Sequence, residues 1–109
     1  MSDMNTLEQL TAVINEVLSV HGIQVEQIFL FGSQVRGTAR PDSDWDLYVI
    51  VDCDLTFADH RLLTTEIKRE LARLRIPNDV LLKSSKQFQA TKAYPGHIAY
   101  TVAQEGVPL

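Results

Sequence analysis

The chain has 109 residues, of which 45% are hydrophobic and 22% are charged. This length predicts one domain spanning residues 1–109, and the composition excludes a disordered or coiled-coil protein. The longest apolar run, Leu47 to Val51, is far shorter than the ~20 residues of a membrane span, and the N-terminus has no signal-peptide pattern. With a single cysteine and a net charge of −4, we expect a cytoplasmic protein that neither enters a membrane nor reads a nucleic-acid template.

Hydrophobic spacing predicts helices that alternate with strands, in an α+β domain whose helices pack on a short mixed sheet. The first helix is predicted over residues 6–21, where Thr6 and Gln9 have the spacing of a capping box and Gly22 is the terminator. The elements predicted after it, in chain order, are a strand at 25–31, a helix at 33–36, a strand at 46–51, a helix at 57–75, a strand at 79–82, and helices at 84–92 and 96–105.

Two aspartates stand at the start of the second predicted strand. Side chains two residues apart share one face of a strand, so Asp44 and Asp46 would lie side by side, with Trp45 on the opposite face. Two close carboxylates repel each other unless a cation lies between them or one is protonated, and carboxylate oxygens suit Mg²⁺. The pair indicates a metal site, although the same residues are also typical of a solvated turn.

A glycine directly follows the first predicted strand. Gly32 lets the backbone approach a ligand closely, and a helix that starts at Ser33 aims its free N–H groups at an anion. Ser33 can add its hydroxyl, and Arg36, one turn further on, can reach the same phosphates. The alternative is that Ser33 only caps the helix. A phosphate cradle joined by a short loop to paired carboxylates predicts that both meet at one end of the sheet.

A third carboxylate, Asp79, opens the third predicted strand. It would join the cluster if its strand lies beside the strand at 46–51, as a two-metal site requires; otherwise it is only a turn residue. A rival acidic pair, Asp52 and Asp54, lies beyond the far end of the middle strand, roughly 20 Å from the first pair. We expect the rival pair to end that strand and cap the following helix.

The remaining reactive side chains show no spacing typical of a site. His21, His60 and His97 do not have metal-ligand spacing with one another or with Cys53. The thiol of Cys53 lies between two aspartates, so its pKa should be raised and it is no obvious nucleophile. Tyr48 is expected in the core or in a pocket wall.

Phe31-Gly32-Ser33, followed after ten residues by Asp44-Trp45-Asp46, resembles the signature of the DNA polymerase beta nucleotidyltransferase superfamily. The small size is similar to that of its minimal single-domain branch, the MNT proteins. Asp79-Val80-Leu81-Leu82 resembles the strand that carries the third acid, and Ile98 to Val107 resembles the closing helix. The resemblance covers nearly the whole chain and implies a nucleotidyltransferase fold like the palm of polymerase beta.

The resemblance also implies a reaction. A hydroxyl attacks the α-phosphorus of a nucleoside triphosphate, pyrophosphate leaves, and two Mg²⁺ ions clamp the attacking and leaving oxygens. The implied roles are metal binding and catalysis by Asp44, Asp46 and Asp79, and phosphate binding by Gly32, Ser33 and Arg36.

The acceptor is expected on another chain, since 109 residues leave no room for a domain that holds it. Minimal members of the superfamily resemble antitoxins that adenylylate a tyrosine of a HEPN-type toxin. The resemblance therefore implies transfer of AMP from ATP to such a partner, within a homo- or hetero-oligomer. Two alternatives stay open: a small-molecule nucleotidyltransferase subunit of the aminoglycoside type, and a catalytically idle antitoxin that acts by binding alone.

Overall fold

The computed structural model describes the backbone of residues 2–109 and the side chains from Thr6 onward. Within this described part, no helix combines the length and apolar character that crossing a membrane requires. The helices are α1 (Ser2–Val20), α2 (Ser33–Arg36), α3 (Phe57–Arg73), α4 (Ser85–Thr91) and α5 (Ile98–Glu105); the strands are β1 (Val25–Phe31), β2 (Trp45–Val51), β3 (Asn78–Ser84) and β4 (Val107–Pro108).

The strands form one mixed sheet in the order β3-β2-β1-β4. Strands β1 and β2 are antiparallel, with Phe31 opposite Asp46, whereas β2 and β3 are parallel, with Asp46 opposite Asp79. The end of β1 and the starts of β2 and β3 therefore meet at one end of the sheet. The predicted pairing of β1 with β2 and of β2 with β3 is confirmed, as is the α+β class with a mixed sheet.

Helices pack on both faces of the sheet. On one face, α1 and α3 bury the larger core, to which β2 contributes Leu47, Val49 and Val51. On the other face, α4 packs Phe88 against Tyr48 of β2, with the ring centroids 5.5 Å apart, and α5 completes this smaller core. Strand β2 is thus buried on both faces, as its continuous apolar run predicts.

Helix α1 begins four residues earlier than predicted. It starts at Ser2, so Thr6 lies inside the helix and the predicted capping box of Thr6 and Gln9 is wrong. No glycine or proline precedes Thr6, so nothing in the backbone stops the helix there. The other end is confirmed: Gly22 has a φ of 73°, and the N–H groups of Gly22 and Ile23 donate to carbonyls of the last turn, as in a Schellman motif.

The start of α3 has a different cap from the expected one. The Thr56 hydroxyl accepts a hydrogen bond from the Asp59 N–H at 3.1 Å, so the expected capping by the rival acids is wrong. Thr56 stands directly before the first helical turn, whereas Asp54 lies two residues too far away. Asp52 follows the last residue of β2 and accepts from the Gln24 N–H at 3.3 Å.

The C-terminal residues form an unpredicted fourth strand. Val107 pairs with Leu30, and Pro108 with Phe29, along the open edge of β1. Two residues, one of them proline, carry no strand pattern of their own, so only the neighbouring edge makes this segment a strand. Helix α5 begins at Ile98 rather than at residue 96, and α3 ends at Arg73 rather than at residue 75.

Candidate active site

Three aspartates come together where β2 and β3 begin. Asp46 is the second residue of β2 and pairs in register with Asp79 of β3, while Asp44 directly precedes β2. The strand register therefore gathers the three acids that the sequence singles out. The rival pair lies at the opposite end of β2, as expected.

The acids of this cluster differ in their surroundings. Asp46 is half-buried, whereas Asp44 and Asp79 are exposed. Burial raises the pKa of Asp46, and the negative charges of Asp79 and Asp44 raise it further, while the positive charge of Arg36 lowers it. Like charges thus outweigh the one opposing cation, so a bound cation would relieve the repulsion.

The cluster lies on the sheet face that α4 and α5 cover in part. Trp45 packs against the core formed with α1 and α3, so Asp46 points to the other face, together with Tyr48 two residues further on. The predicted opposition of Trp45 to Asp46 is confirmed, whereas Asp44 lies just before the strand, where this alternation does not place its side chain.

Gly32 brings the end of β1 directly against Asp46. It has φ 81° and ψ −153°, a conformation essentially limited to glycine. A Cβ atom at this position would overlap Oδ2 of Asp46 and lie 3.0 Å from its Cγ. The glycine is therefore required where the backbone passes the carboxylate, a role that the sequence alone did not reveal.

The first turn of α2 starts beside the carboxylates. Gly32 rather than Ser33 is the N-cap, and the N–H groups of Val35 and Arg36 both donate to the Gly32 carbonyl at 3.1 Å. The alternative that Ser33 caps the helix is thus wrong. The N–H groups of Ser33 and Gln34 precede these bonds and lie outside the intrahelical ladder. They are backbone donors that an anion beside Asp46 could use.

Arg36 has an ion-pair partner that no local pattern predicts. Its Nη1 donates to Oε1 of Glu105, the last residue of α5, at 2.9 Å. The two side chains are 53% and 35% exposed, so the pair is open to solvent and can exchange partners. Because the residues lie 69 positions apart, only the fold brings them together.

Two histidines and the cysteine lie away from the carboxylate cluster. Nε2 of His21, in the turn after α1, lies 3.3 Å from Oε2 of Glu66 on α3, and Nε2 of His60 lies 2.9 Å from the Leu82 carbonyl oxygen. Cys53 is exposed, and desolvation, followed by its aspartate neighbours, raises its pKa, as predicted. None of these groups joins the carboxylate cluster.

The family model described as Polymerase beta, Nucleotidyltransferase matches residues 12–109. The chain belongs to this nucleotidyltransferase family. The match includes the Gly32 turn and the three aspartates, and it confirms the resemblance carried by those residues. Among curated proteins, none matches the chain.

Two solved structures are similar to this nucleotidyltransferase domain. One is a toxin–antitoxin structure with AMP-PNP: it is 20% identical, has a TM-score of 0.59, and the match covers 89% of this chain and 69% of that one. The other is a mutant of the toxin–antitoxin MntA–HpeT with two aspartate-to-glutamate substitutions: it is 17% identical, has a TM-score of 0.58, and the match covers 91% and 70%. At these identities the likeness shows a shared fold.

The family generally uses a nucleoside triphosphate and a divalent metal. Among the described residues, no three His, Cys, Asp or Glu side chains already converge tightly enough to hold an ion. The donor set nevertheless fits Mg²⁺, since it consists of carboxylate oxygens whose mutual repulsion is only partly offset. Asp44 and Asp79 are exposed, so their side chains can turn toward a cation beside Asp46 without disturbing the core.

Proposed function

We propose that this chain transfers AMP from ATP to a tyrosine hydroxyl of a partner HEPN-type toxin and thereby acts as an antitoxin. The observation that carries the proposal is the position of Asp46 against the Gly32 turn, where the charges of Asp79 and Asp44 both act on its carboxylate. The three aspartates would hold Mg²⁺, two ions in all, which would supply charge stabilisation to the attacking and leaving oxygens.

The residues of the chain have separate tasks in this reaction. The N–H groups of Ser33 and Gln34 would bind the terminal phosphates, which Gly32 lets approach, and Arg36 would neutralise the pyrophosphate as it leaves. The tyrosine oxygen attacks the α-phosphorus, and its proton passes to Asp79. Asp79 suits this task because it is exposed on the edge strand β3, where a second protein can reach it.

Two observations support a protein acceptor. The carboxylate cluster opens to solvent at Asp44 and Asp79, so a side chain of another protein can enter it. The similar solved structures are toxin–antitoxin complexes, one of them with a nucleotide analogue. A partner toxin would supply the acceptor that enters the open site, and the similar structures pair this fold with a toxin.

The test is co-expression with the protein encoded beside this chain, followed by intact-mass measurement of that protein. We expect a mass gain of one or more AMP units with the wild type and no gain with Asp44→Asn/Asp46→Asn. The matched control is Asp52→Asn/Asp54→Asn, which removes two acids at the other end of β2 and should leave the modification intact.

Other outcomes would replace the proposal with one of its alternatives. A stable complex without any mass gain, in which the Asp44→Asn/Asp46→Asn variant neutralises the toxin equally well, would identify a binding antitoxin. Transfer of a nucleotide to a small alcohol without a protein partner would identify a small-molecule nucleotidyltransferase.

A further inference from the structure

A cavity of about 400 Å³ lies on the same sheet face as the carboxylate cluster. It opens between the sheet and helices α4 and α5, a location that the proposed function does not use. Its size is in the range of small-molecule sites. The lining includes Tyr48 and Lys83 from the sheet, Gln87, Ala90 and Thr91 from α4, and His97 before α5.

The cavity begins close to where the α-phosphate would lie. Tyr48 is two residues beyond Asp46 on β2, or about 7 Å along the strand, and Lys83 is four residues beyond Asp79 on β3, or about 13 Å. A group attached to a phosphate beside Asp46 can therefore extend into the cavity. The Gly32 turn lies on the side of Asp46 toward β1, whereas the sheet residues that line the cavity belong to β2 and β3. The two ends of a nucleoside triphosphate would thus point in different directions.

The polar groups that α4 presents to the cavity are one donor and one acceptor, the two types that the edge of adenine requires. Oε1 of Gln87 accepts from the Ser84 N–H at 2.9 Å in a capping box, so its NH₂ group is the part left to donate. The Thr91 hydroxyl donates to the Gln87 carbonyl at 2.8 Å, so its oxygen is left to accept. Gln87 and Thr91 are four residues apart and lie on one side of the helix. Adenine presents an acceptor, N7, beside a donor, the N6 amine, whereas guanine presents two acceptors.

The walls of the cavity are held in place by aromatic packing. Phe88 of α4 stacks on Phe29, with ring centroids 6.0 Å apart, and contacts Tyr48. These contacts fix α4 relative to the sheet, so Gln87 and Thr91 are presented by a rigid element.

From this placement we infer that the cavity binds the adenine nucleoside of ATP, with the Gln87 amide donating to the ring and the Thr91 oxygen accepting from the exocyclic amine. The inference rests on the proposed function, because it assigns the other end of the same triphosphate. It makes Gln87 and Thr91 the residues that select the base.

The test measures binding of Mg²⁺-ATP, Mg²⁺-GTP and inorganic tripolyphosphate by calorimetry. Ala90→Trp places a large ring in the cavity from an exposed position, and we expect it to weaken ATP binding by at least about tenfold while tripolyphosphate binds as before. The control, Ala72→Trp, adds the same ring at an exposed position of α3 on the other sheet face and should bind both ligands normally.

A second variant tests base selection without adding bulk. Thr91→Val keeps the shape and removes the accepting oxygen, so ATP affinity should fall by about threefold to tenfold and the preference for ATP over GTP should shrink.

ATP affinity equal to that of the wild type in both Ala90→Trp and Thr91→Val would overturn the inference. If those variants bind ATP normally but lose transfer, the cavity holds the acceptor and the inference is again wrong. Failure of the wild type to bind tripolyphosphate or any nucleotide would instead overturn the proposed function itself.

Discussion

Gly32 shows how a single residue links the sheet to the candidate site. The carboxylate of Asp46 occupies the space that any side chain at position 32 would need. The backbone of Gly32 also has a conformation that other residues avoid. Two constraints thus act at one position, which directly follows the antiparallel pairing of Phe31 with Asp46.

A substitution to alanine tests these two constraints. Gly32→Ala should lower the free energy of unfolding by at least about 2 kcal/mol and should abolish transfer, because the new Cβ displaces Asp46. Gly37→Ala is the control: Gly37 has a similar φ of 78° but has nothing within 4 Å of an added Cβ. It should cost only about 1 kcal/mol and keep its activity. Urea unfolding measures the stability of the two variants, and a transfer assay measures their activity. Equal losses of stability and activity in Gly32→Ala and Gly37→Ala would contradict the role of the Asp46 contact.

At the scale of elements, helix α5 is tied to the short helix α2. The Arg36–Glu105 pair joins the last residues of the two helices, directly beside the turn that begins α2. An exposed ion pair of this kind adds little to stability. Its main effect is therefore to restrict where the guanidinium of Arg36 lies.

Removing the charge of Glu105 tests this positional role. Glu105→Gln should change the free energy of unfolding by less than about 1 kcal/mol but raise the KM for ATP roughly threefold to tenfold, because Arg36 no longer lies ready for the phosphates. The control is Glu70→Gln, which breaks the comparable exposed pair with Arg73 on α3. Steady-state kinetics at two salt concentrations distinguish the variants, and an unchanged KM in Glu105→Gln would remove the positional role.

Elements whose signal is local could be predicted from the sequence. Strand β1 and helix α2 have the predicted bounds because a buried apolar run and a glycine turn define them. The start of α1 could not be predicted, since no breaker precedes Thr6 and propensity alone does not place a helix end. Strand β4 and the Arg36–Glu105 pair depend on contacts between distant parts of the chain. The carboxylate cluster was predictable because Asp44 and Asp46 adjoin the apolar run of β2 and Asp79 adjoins that of β3.

For the whole molecule, the charge state of Asp46 affects stability. Its pKa in the folded chain lies above the ordinary value of 3.8 because of burial and the charges of Asp79 and Asp44. The folded state therefore holds the Asp46 proton more tightly than the unfolded state does. This contribution is fully present below pH 3.8 and is lost as the pH rises through the raised pKa.

Asp46→Asn stays neutral at every pH and should show this effect directly. We expect the variant to be more stable than the wild type at pH 7, with a difference that disappears as the pH falls below the ordinary pKa, although it has lost transfer. The control Asp52→Asn keeps an oxygen that can accept from the Gln24 N–H. Its free energy of unfolding should equal that of the wild type both at pH 7 and at low pH. Urea unfolding at pH 7 and at low pH measures the difference.

Adding Mg²⁺ at constant ionic strength should reduce the difference in the free energy of unfolding between Asp46→Asn and the wild type at pH 7. The ion binds the charged cluster of the folded wild type and stabilises it by mass action. Asp46→Asn has one negative charge fewer in the cluster, so Mg²⁺ should stabilise it less than it stabilises the wild type. A wild type that is already the more stable protein at pH 7 without Mg²⁺ would contradict the raised pKa of Asp46 that burial and the charges of Asp79 and Asp44 imply.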